Sequence, residues 1–473
     1  MTWQDQLVPQ IPWRELDVMV CGIGVSGTVA AEVLLREGAH VTVVDESDRE
    51  RDRARADALR ALGATVRLGP LAADAEPDLV VTSPGWRPDN PLLVAYGAGG
   101  VPVWGEVELA WRFTTRPANP PDLWSTLWLG VTGTNGKTTT TEMLAAIIKA
   151  MGLRGTAAGN IGAPLLQAVL ADPVPEVLAV ELSSFQLHWA STIQPHAAAI
   201  LNIAEDHLDW HGSMSAYTAA KRKIWHHGTT AVFNRDDPRV LALATGADAP
   251  YDSQDFGLDA AGCLGVEDGW LVERCWGAGR LMPVDELQVT GPHNVANALA
   301  AAGVAVAGLI SQHGDRVAPA IRAALAGYRS GAHRNEVVAV VDGVTYVDDS
   351  KATNPHAAAA SLSAYESVVW IAGGLNKGLS FDELARDHGH RLRAAMLIGR
   401  CAGEVRDALA RHAPDVPVHD AASMHTAVET ARSVAQAGDT VLLAPAAASM
   451  DMFRDYAERG DMFAASVRAL EET

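Results

Sequence analysis

The 473-residue sequence predicts an α/β protein of three domains, and three observations carry that expectation. Two glycine-rich turns, Gly22-Ile23-Gly24-Val25-Ser26-Gly27 and Gly133-Thr134-Asn135-Gly136, each join a short apolar strand to a helix. A proline-rich stretch between them, Arg116-Pro117-Ala118-Asn119-Pro120-Pro121-Asp122, reads as a linker. After about residue 330, four more apolar strands alternate with helices. The expected domains are residues 1–118, 119–329 and 330–473, because one hydrophobic core rarely serves a chain this long.

Composition narrows the class. Apolar residues make up 48% and charged residues 20%, as in an ordinary globular protein. Cys21, Cys263, Cys275 and Cys401 form no C-x-x-C pair, so the expectation is a reduced, cytoplasmic chain with neither a disulfide nor a zinc site. The start, Met1-Thr2-Trp3-Gln4-Asp5, has no signal-peptide pattern, and the apolar run Ala298 to Ile310 is too short for a membrane span. A formal charge of −20 without a basic stripe excludes nucleic acid as a partner. It does not exclude nucleotides, because exposed charges are screened beyond roughly 8 Å and local donors decide phosphate binding.

In the first domain the strand Asp17 to Cys21 runs into the first glycine turn, and a helix follows through Leu34 and Leu35 to Gly38. The next strand, Val41 to Val44, ends in Asp45. Glycines at the turn and an acid about twenty residues later form the dinucleotide fingerprint, which points to a phosphorylated nucleotide ligand. A helix from Asp48 to Leu62 and strands at Thr65 to Leu68 and Asp78 to Thr82 continue the pattern. Asp45 and Gly85 then lie at strand carboxyl ends, where such sheets bind ligands.

The second domain is organised around Gly133, Thr134, Asn135, Gly136, Lys137, Thr138 and Thr139, between the strand Leu127 to Val131 and an amphipathic helix. The glycines let backbone N–H groups face an anion, and the helix N-terminus adds partial positive charge. Lys137 can reach terminal phosphates and the Thr138 hydroxyl suits Mg²⁺. The glycines stand three positions apart where the general phosphate-loop motif has five. Glu181 ends the strand Val177 to Val180 and is placed to hold Mg²⁺. The strand Ala197 to Leu201 leads to Glu205-Asp206-His207-Leu208-Asp209, a histidine among acids. Tyr217 to Trp225, with Lys221, reads as a helix, and Asn294 and Asn297 lie on one face of an alanine-rich helix, to cap it or to read a base or ribose.

The third domain has strands Val344 to Val347, Val368 to Ala372, Ala395 to Ile398 and Thr440 to Leu443. Their carboxyl ends deliver Asp349, Gly373-Gly374 with Lys377, and Pro445 to Ser449. The fold class is therefore a dinucleotide-binding-like N-terminal domain, a central P-loop ATPase-type domain and a C-terminal dinucleotide-fold-like domain.

These segments together resemble the Mur ligase family over nearly the whole chain. The phosphate loop with its short spacing, Glu181-Leu182-Ser183-Ser184-Phe185-Gln186-Leu187, Glu205 to Asp209, His293-Asn294 with Asn297, His333-Arg334 with Glu336, and Asp349 to Asn354 match in order. The resemblance implies an ATP-dependent, amide-forming enzyme of peptidoglycan precursor synthesis. Its small-molecule substrates would be UDP-N-acetylmuramoyl-L-alanine, D-glutamate and ATP, with two Mg²⁺ ions, in a cytoplasmic monomer. A related ligase for another amino acid, or a nicotinamide-dependent oxidoreductase, are the alternatives.

By that resemblance Lys137, Glu181, His207 and Lys221 would be catalytic. Thr138, Glu181, His207 and a carbamylated Lys221 would ligate Mg²⁺; an ammonium cannot ligate a metal, whereas a carbamate can. The phosphate loop with Asn294, Asn297, Arg334 and Asp349 would bind ATP. Gly24, Val25, Ser26, Asp45, Glu46, Gly85, Asn160, Ser183 and Gln186 would hold the UDP-linked substrate, and Thr353, Lys377, Ser449, Met450 and Tyr456 the D-glutamate. Ala447, Met450 and Tyr456 depart from the cysteine, leucine and phenylalanine usual in the family, and the hinge near Tyr328 lacks its frequent Gly-Leu pair.

Overall fold

A computed structural model describes residues 11–114, 126–226, 228–289 and 291–471. The expected linker at Arg116 to Asp122 and the N-terminal residues Met1 to Asp5 lie outside the described residues. The α/β class holds, with three separate sheets. By contact, one compact unit takes the described residues within Met1–Ile203, Trp210–Glu286 and Ala296–Gly327, and a second takes those within Ala204–Asp209, Leu287–Val295 and Tyr328–Thr473.

The first sheet contains β1 (Asp17–Cys21), β2 (His40–Asp45), β3 (Thr65–Leu68), β4 (Leu79–Thr82) and β5 (Val103–Gly105), in the order β3-β2-β1-β4-β5. All its pairings are parallel. Val18, Val20, Val43, Leu79 and Val81 are at most 1% exposed, as expected where helices cover both faces. The order reverses between β1 and β4, so the glycine turn after β1 and the Ser83-Pro84-Gly85 turn after β4 lie at the switch point where sheets of this kind take nucleotides.

The second sheet has nine strands: β6 (Leu127–Thr132), β7 (Gly155–Gly159), β8 (Val177–Glu181), β9 (Ala197–Ile200), β10 (Thr230–Asn234), β11 (Ser253–Phe256), β12 (Leu264–Glu267), β13 (Trp270–Glu273) and β14 (Gly279–Pro283). β6 lies between β9 and β8, both parallel to it. Three strand ends, at Thr132, Glu181 and Ile200, therefore open on one edge. Gly130 in β6 is needed for packing, because a Cβ there would meet Ile224 at 3.1 Å and Ala198 at 3.2 Å.

The antiparallel β12 and β13 correct one expectation. Cys263 and Cys275 pair as a disulfide with Cα atoms 5.2 Å apart. They stand twelve positions apart in sequence, so no C-x-x-C spacing announces them; the hairpin that pairs Leu264 with Glu273 brings them together. Cys21 and Cys401 are buried thiols.

The third sheet runs β15-β16-β20-β17-β18-β19, with β15 (Glu336–Val341), β16 (Val344–Asp348), β17 (Val368–Gly373), β18 (Leu392–Ile398), β19 (Val418–Asp420) and β20 (Thr440–Leu443). Alternate residues feed two cores. Val368, Trp370 and Ala372 pack on one face, Val369 and Ile371 on the other. The stretch Pro292–Gly327 is long and apolar enough to cross a membrane by composition, yet 67% of its most apolar window is buried inside the protein. Leu299, Val304, Val306 and Leu309 are fully buried there, as in a core helix.

Helix Glu106–Thr114 carries buried acids that tie distant segments together. Glu106 accepts the Leu166 N–H, and Glu108 accepts the N–H groups of Ser191 and Thr192 and the Arg112 guanidinium. Burial raises the Glu106 carboxyl to about 7, opposed by the backbone donors Leu166 and Leu165. A folded-state value above the unfolded one favours the protonated native form, so this stability is complete below pH 4–5 and is lost as pH rises through about 7. Glu106→Gln should flatten the fall in thermal midpoint between about pH 5 and 8, relative to wild type. An unchanged slope in differential scanning fluorimetry would refute that assignment.

Candidate functional site

The phosphate loop follows from β6. Gly136 has φ 81°, a left-handed value that suits glycine, and a Cβ there would lie 2.4 Å from the Asn297 Oδ1. Helix Lys137–Ala150 starts immediately after, with no side chain capping its first N–H groups and no acid in its first turn. Such an end attracts anions. Lys137 curls over the loop and donates to the carbonyls of Gly133 at 3.0 Å and Thr134 at 2.8 Å.

Asn202, at the end of β9, braces this loop. Its Oδ1 accepts the Asn135 N–H at 2.8 Å, its amide donates to the Asn135 carbonyl at 3.1 Å, and its own carbonyl accepts the Thr134 N–H. A second brace closes through Tyr217, whose hydroxyl bonds the Thr134 hydroxyl at 2.9 Å, and through Lys221, whose ammonium donates to the Gly133 carbonyl at 2.7 Å. Lys221 is 1% exposed and also lies over the Tyr217 ring.

Glu181 is 1% exposed at the tip of β8, level with Val131 in the neighbouring β6. Asn160 donates to its Oε1 at 2.8 Å, while its Oε2 is buried without a hydrogen-bond partner. A buried carboxylate oxygen left open is costly unless something positive meets it. With the Thr138 hydroxyl in the adjoining helix turn, the donor set is hard oxygen, which fits Mg²⁺. Ser183 and Gln186 form a reciprocal capping box on helix Ser184–His188, so their polar groups serve that helix. Asn297 accepts from the Thr140 hydroxyl at 3.3 Å and supports the loop from below, while Asn294 is buried in the first turn of its helix.

In the second compact unit, Asp206, His207, Thr353, Lys377, Ala446 and Ala447 line one pocket with Leu375, Asn376 and Leu379. His207 and Ala446 both have left-handed backbones, at φ 54° and 60°. Such strain persists only where the surroundings enforce it. Asn354 donates to Asp206, and Ala446 donates to the Ala352 carbonyl. Gly373 and Gly374 allow the close approach that shapes this edge, since Cβ atoms there would fall 2.0 and 2.2 Å from the Ile398 and Ala448 carbonyls. Ser449, Met450 and Tyr456 do not line this pocket: Ser449 is buried and Met450 is 61% exposed.

Asp349 accepts the Asn335 N–H and the Ser361 hydroxyl. Burial raises its carboxyl to about 6, with Asp348 adding to the rise and Ser361, Asn335 and Arg334 opposing it. The neighbouring His333 bonds Asp348 at 2.7 Å. Arg459 is fully buried and joins two loops, donating to the Ser350 hydroxyl at 3.0 Å, the Ser350 carbonyl at 2.8 Å and the Ala447 carbonyl at 3.0 Å.

In the first sheet, Asp45 shapes the glycine turn: one carboxylate oxygen accepts the Ile23 N–H at 2.7 Å and the other the Ser47 N–H at 2.8 Å. Gly24 caps helix Val25–Glu37 with no side-chain donor or acceptor, Val25 is 59% exposed, and Ser26 follows in the first turn. Glu46 accepts from Asn90, and Gly85 is exposed in the turn after β4.

Comparison with known proteins now bears on this arrangement. The family described as the Mur ligase middle domain matches residues 131–305, and the one described as the Mur ligase glutamate ligase domain matches residues 333–447. A UDP-N-acetylmuramoylalanine–D-glutamate ligase from Frankia casuarinae is 58% identical, covering 98% of this chain and 96% of its own. The chain belongs to the Mur ligase family. Proteins of the same name from Streptomyces avermitilis and Thermobifida fusca are 52% and 53% identical over 97% and 96% of this Mur ligase and 99% and 98% of their own chains. Among solved structures, the UDP-N-acetylmuramate–alanine ligase of Thermotoga maritima shares the fold, with a TM-score of 0.57 at 21% identity over 96% of this chain and 100% of its own.

Within this Mur ligase, the structure gathers Gly133, Thr134, Lys137, Lys221 and Asn297 about one loop, and His207, Thr353 and Lys377 about one pocket. Residue-by-residue reading misses Asn202, Tyr217 and Arg459 as functional groups. Asn202 stands at a strand end beside the loop, and that position is the signal that marks it. Asn202→Ala removes two side-chain hydrogen bonds, so the KM for ATP should rise about tenfold, with kcat changed less than about threefold. An ATP KM within twofold of wild type would show that the loop holds itself.

Proposed function

We propose that this Mur ligase joins D-glutamate to UDP-N-acetylmuramoyl-L-alanine at the expense of ATP, through an acyl phosphate. The observation that carries the reading is the end-to-end likeness to relatives named for that reaction. The site supports it. A phosphate loop with an uncapped helix start suits the nucleotide's phosphates, and Lys137, held over that loop, is assigned to the γ-phosphate as charge builds on it. The alanine carboxylate attacks that phosphorus and ADP leaves; the D-glutamate amine then attacks the acyl carbon and phosphate leaves.

Thr138 and Glu181 would hold one Mg²⁺ and His207 with a carbamylated Lys221 a second, and the ions would supply charge neutralisation. The pocket with Lys377 and Thr353 offers an ammonium and a hydroxyl to the dicarboxylate of D-glutamate. Arg334 and Asp349 are proposed to contact ATP, and Ser449, Met450 and Tyr456 to complete the amino-acid site. Gly24, Val25, Ser26, Asp45, Glu46, Gly85, Asn160, Ser183 and Gln186 are assigned to the UDP-linked substrate. A cytoplasmic monomer completes the reading.

The test is an amino-acid panel with UDP-N-acetylmuramoyl-L-alanine and ATP, scored by phosphate release. D-glutamate alone should sustain turnover. Turnover with another amino acid and none with D-glutamate would reassign the substrate; steady ADP formation without any amino acid would refute ligation.

A further inference from the structure

Helix Glu50–Ala61 carries four arginines, Arg51, Arg53, Arg55 and Arg60. Arg51 lies 3.6 Å from Asp52, Arg53 is bidentate to Asp48, and Arg60 pairs with Asp57. Arg55 differs. Among the described residues it has no carboxylate partner, and its one hydrogen bond is a long one, 3.3 Å from Nη1 to the Ile23 carbonyl. Ile23 lies in the glycine turn after β1, the same turn that Asp45 holds by the Ile23 N–H. The half-buried guanidinium is thus brought from a neighbouring helix to a loop whose own helix start has no capping side chain and no acid in its first turn. Most of its five N–H donors are uncommitted.

We infer that Arg55 binds the diphosphate of the uridine diphosphate conjugate and sets the affinity for that half of the substrate. This rests on the substrate reading above and adds a residue to it. A planar guanidinium matches two phosphate oxygens at once, which an ammonium does not. The glycine turn carries no cationic side chain, and Asp45 and Glu46 beside it are acidic, so Arg55 brings positive charge to it for the ligand.

The experiment measures UDP binding to the full chain by calorimetry, and steady-state kinetics with the muramoyl substrate, for wild type, Arg55→Ala, Arg55→Lys and Arg53→Ala. Arg55→Ala should weaken UDP about 10- to 100-fold and raise the KM for the muramoyl substrate comparably, leaving kcat and the ATP KM unchanged. Arg55→Lys should keep part of the affinity, and Arg53→Ala all of it. A structural role alone would instead lower kcat and thermal midpoint together. UDP binding by Arg55→Ala within twofold of wild type overturns the assignment and leaves the substrate reading standing. Wild-type protein that does not bind UDP overturns the substrate reading of the first domain, and the assignment with it.

Discussion

Lys137→Ala is expected to lower kcat roughly 10²- to 10³-fold, the loss typical when one preorganised donor is removed from developing charge. The native ammonium is held over the loop by the Gly133 and Thr134 carbonyls. Its removal costs those two contacts, yet the loop keeps the Asn202 and Tyr217 braces. Thermal midpoint should therefore stay within a few degrees of wild type while turnover collapses. Quench-flow detection of the acyl phosphate separates the steps: loss of the first step is expected, and an intermediate formed at the wild-type rate would show that Lys137 serves elsewhere.

The second large effect concerns stability. Arg459 is fully buried, and burial brings its guanidinium down to about 10, still charged at neutral pH. Its hydrogen bonds to Ser350 and Ala447 join the loop after β16 to the loop after β20. Each bond to a charged group is worth about 1.5–3 kcal/mol, and truncation leaves buried carbonyls unpaired. Arg459→Ala should cost about 3–5 kcal/mol in denaturant unfolding of the C-terminal part, with KM for the amino acid rising as the Ala446-Ala447 edge loosens. Arg459→Lys should recover less than half, because one ammonium cannot span the three acceptors. A loss below about 1 kcal/mol would mean the two loops hold without it.

The phosphate loop was legible because its chemistry is local: strand, glycine turn and helix follow within about twenty residues, and periodicity reports each. The strands of the parallel sheets were legible for the same reason, as continuous apolar runs that a doubly covered sheet requires. Asn202 was not, because its partner Asn135 lies 67 residues away and only the adjacency of β9 and β6 unites them. The Cys263–Cys275 pair depended on a hairpin register that spacing alone does not encode. Ser183 and Gln186, expected to hold the UDP-linked substrate, form a capping box on helix Ser184–His188 that was not anticipated from their spacing. Arg459 resisted for another reason: an arginine in a helix reads as a solvated charge, and only the two converging loops reveal three buried acceptors.

The second sheet interleaves its strands, with β9 and β8 on either side of β6, and this order has a consequence for how the enzyme is made. The loop at Gly133 is complete only when Leu182, Asn202 and Lys221 have arrived, at separations of 50, 67 and 88 residues for the three bonds that close around it. Such long closures are slow compared with local helix formation. A chain leaving the ribosome therefore has the motif long before it has the cradle. ATP capture is expected to mark a newly synthesised chain whose central sheet has already closed.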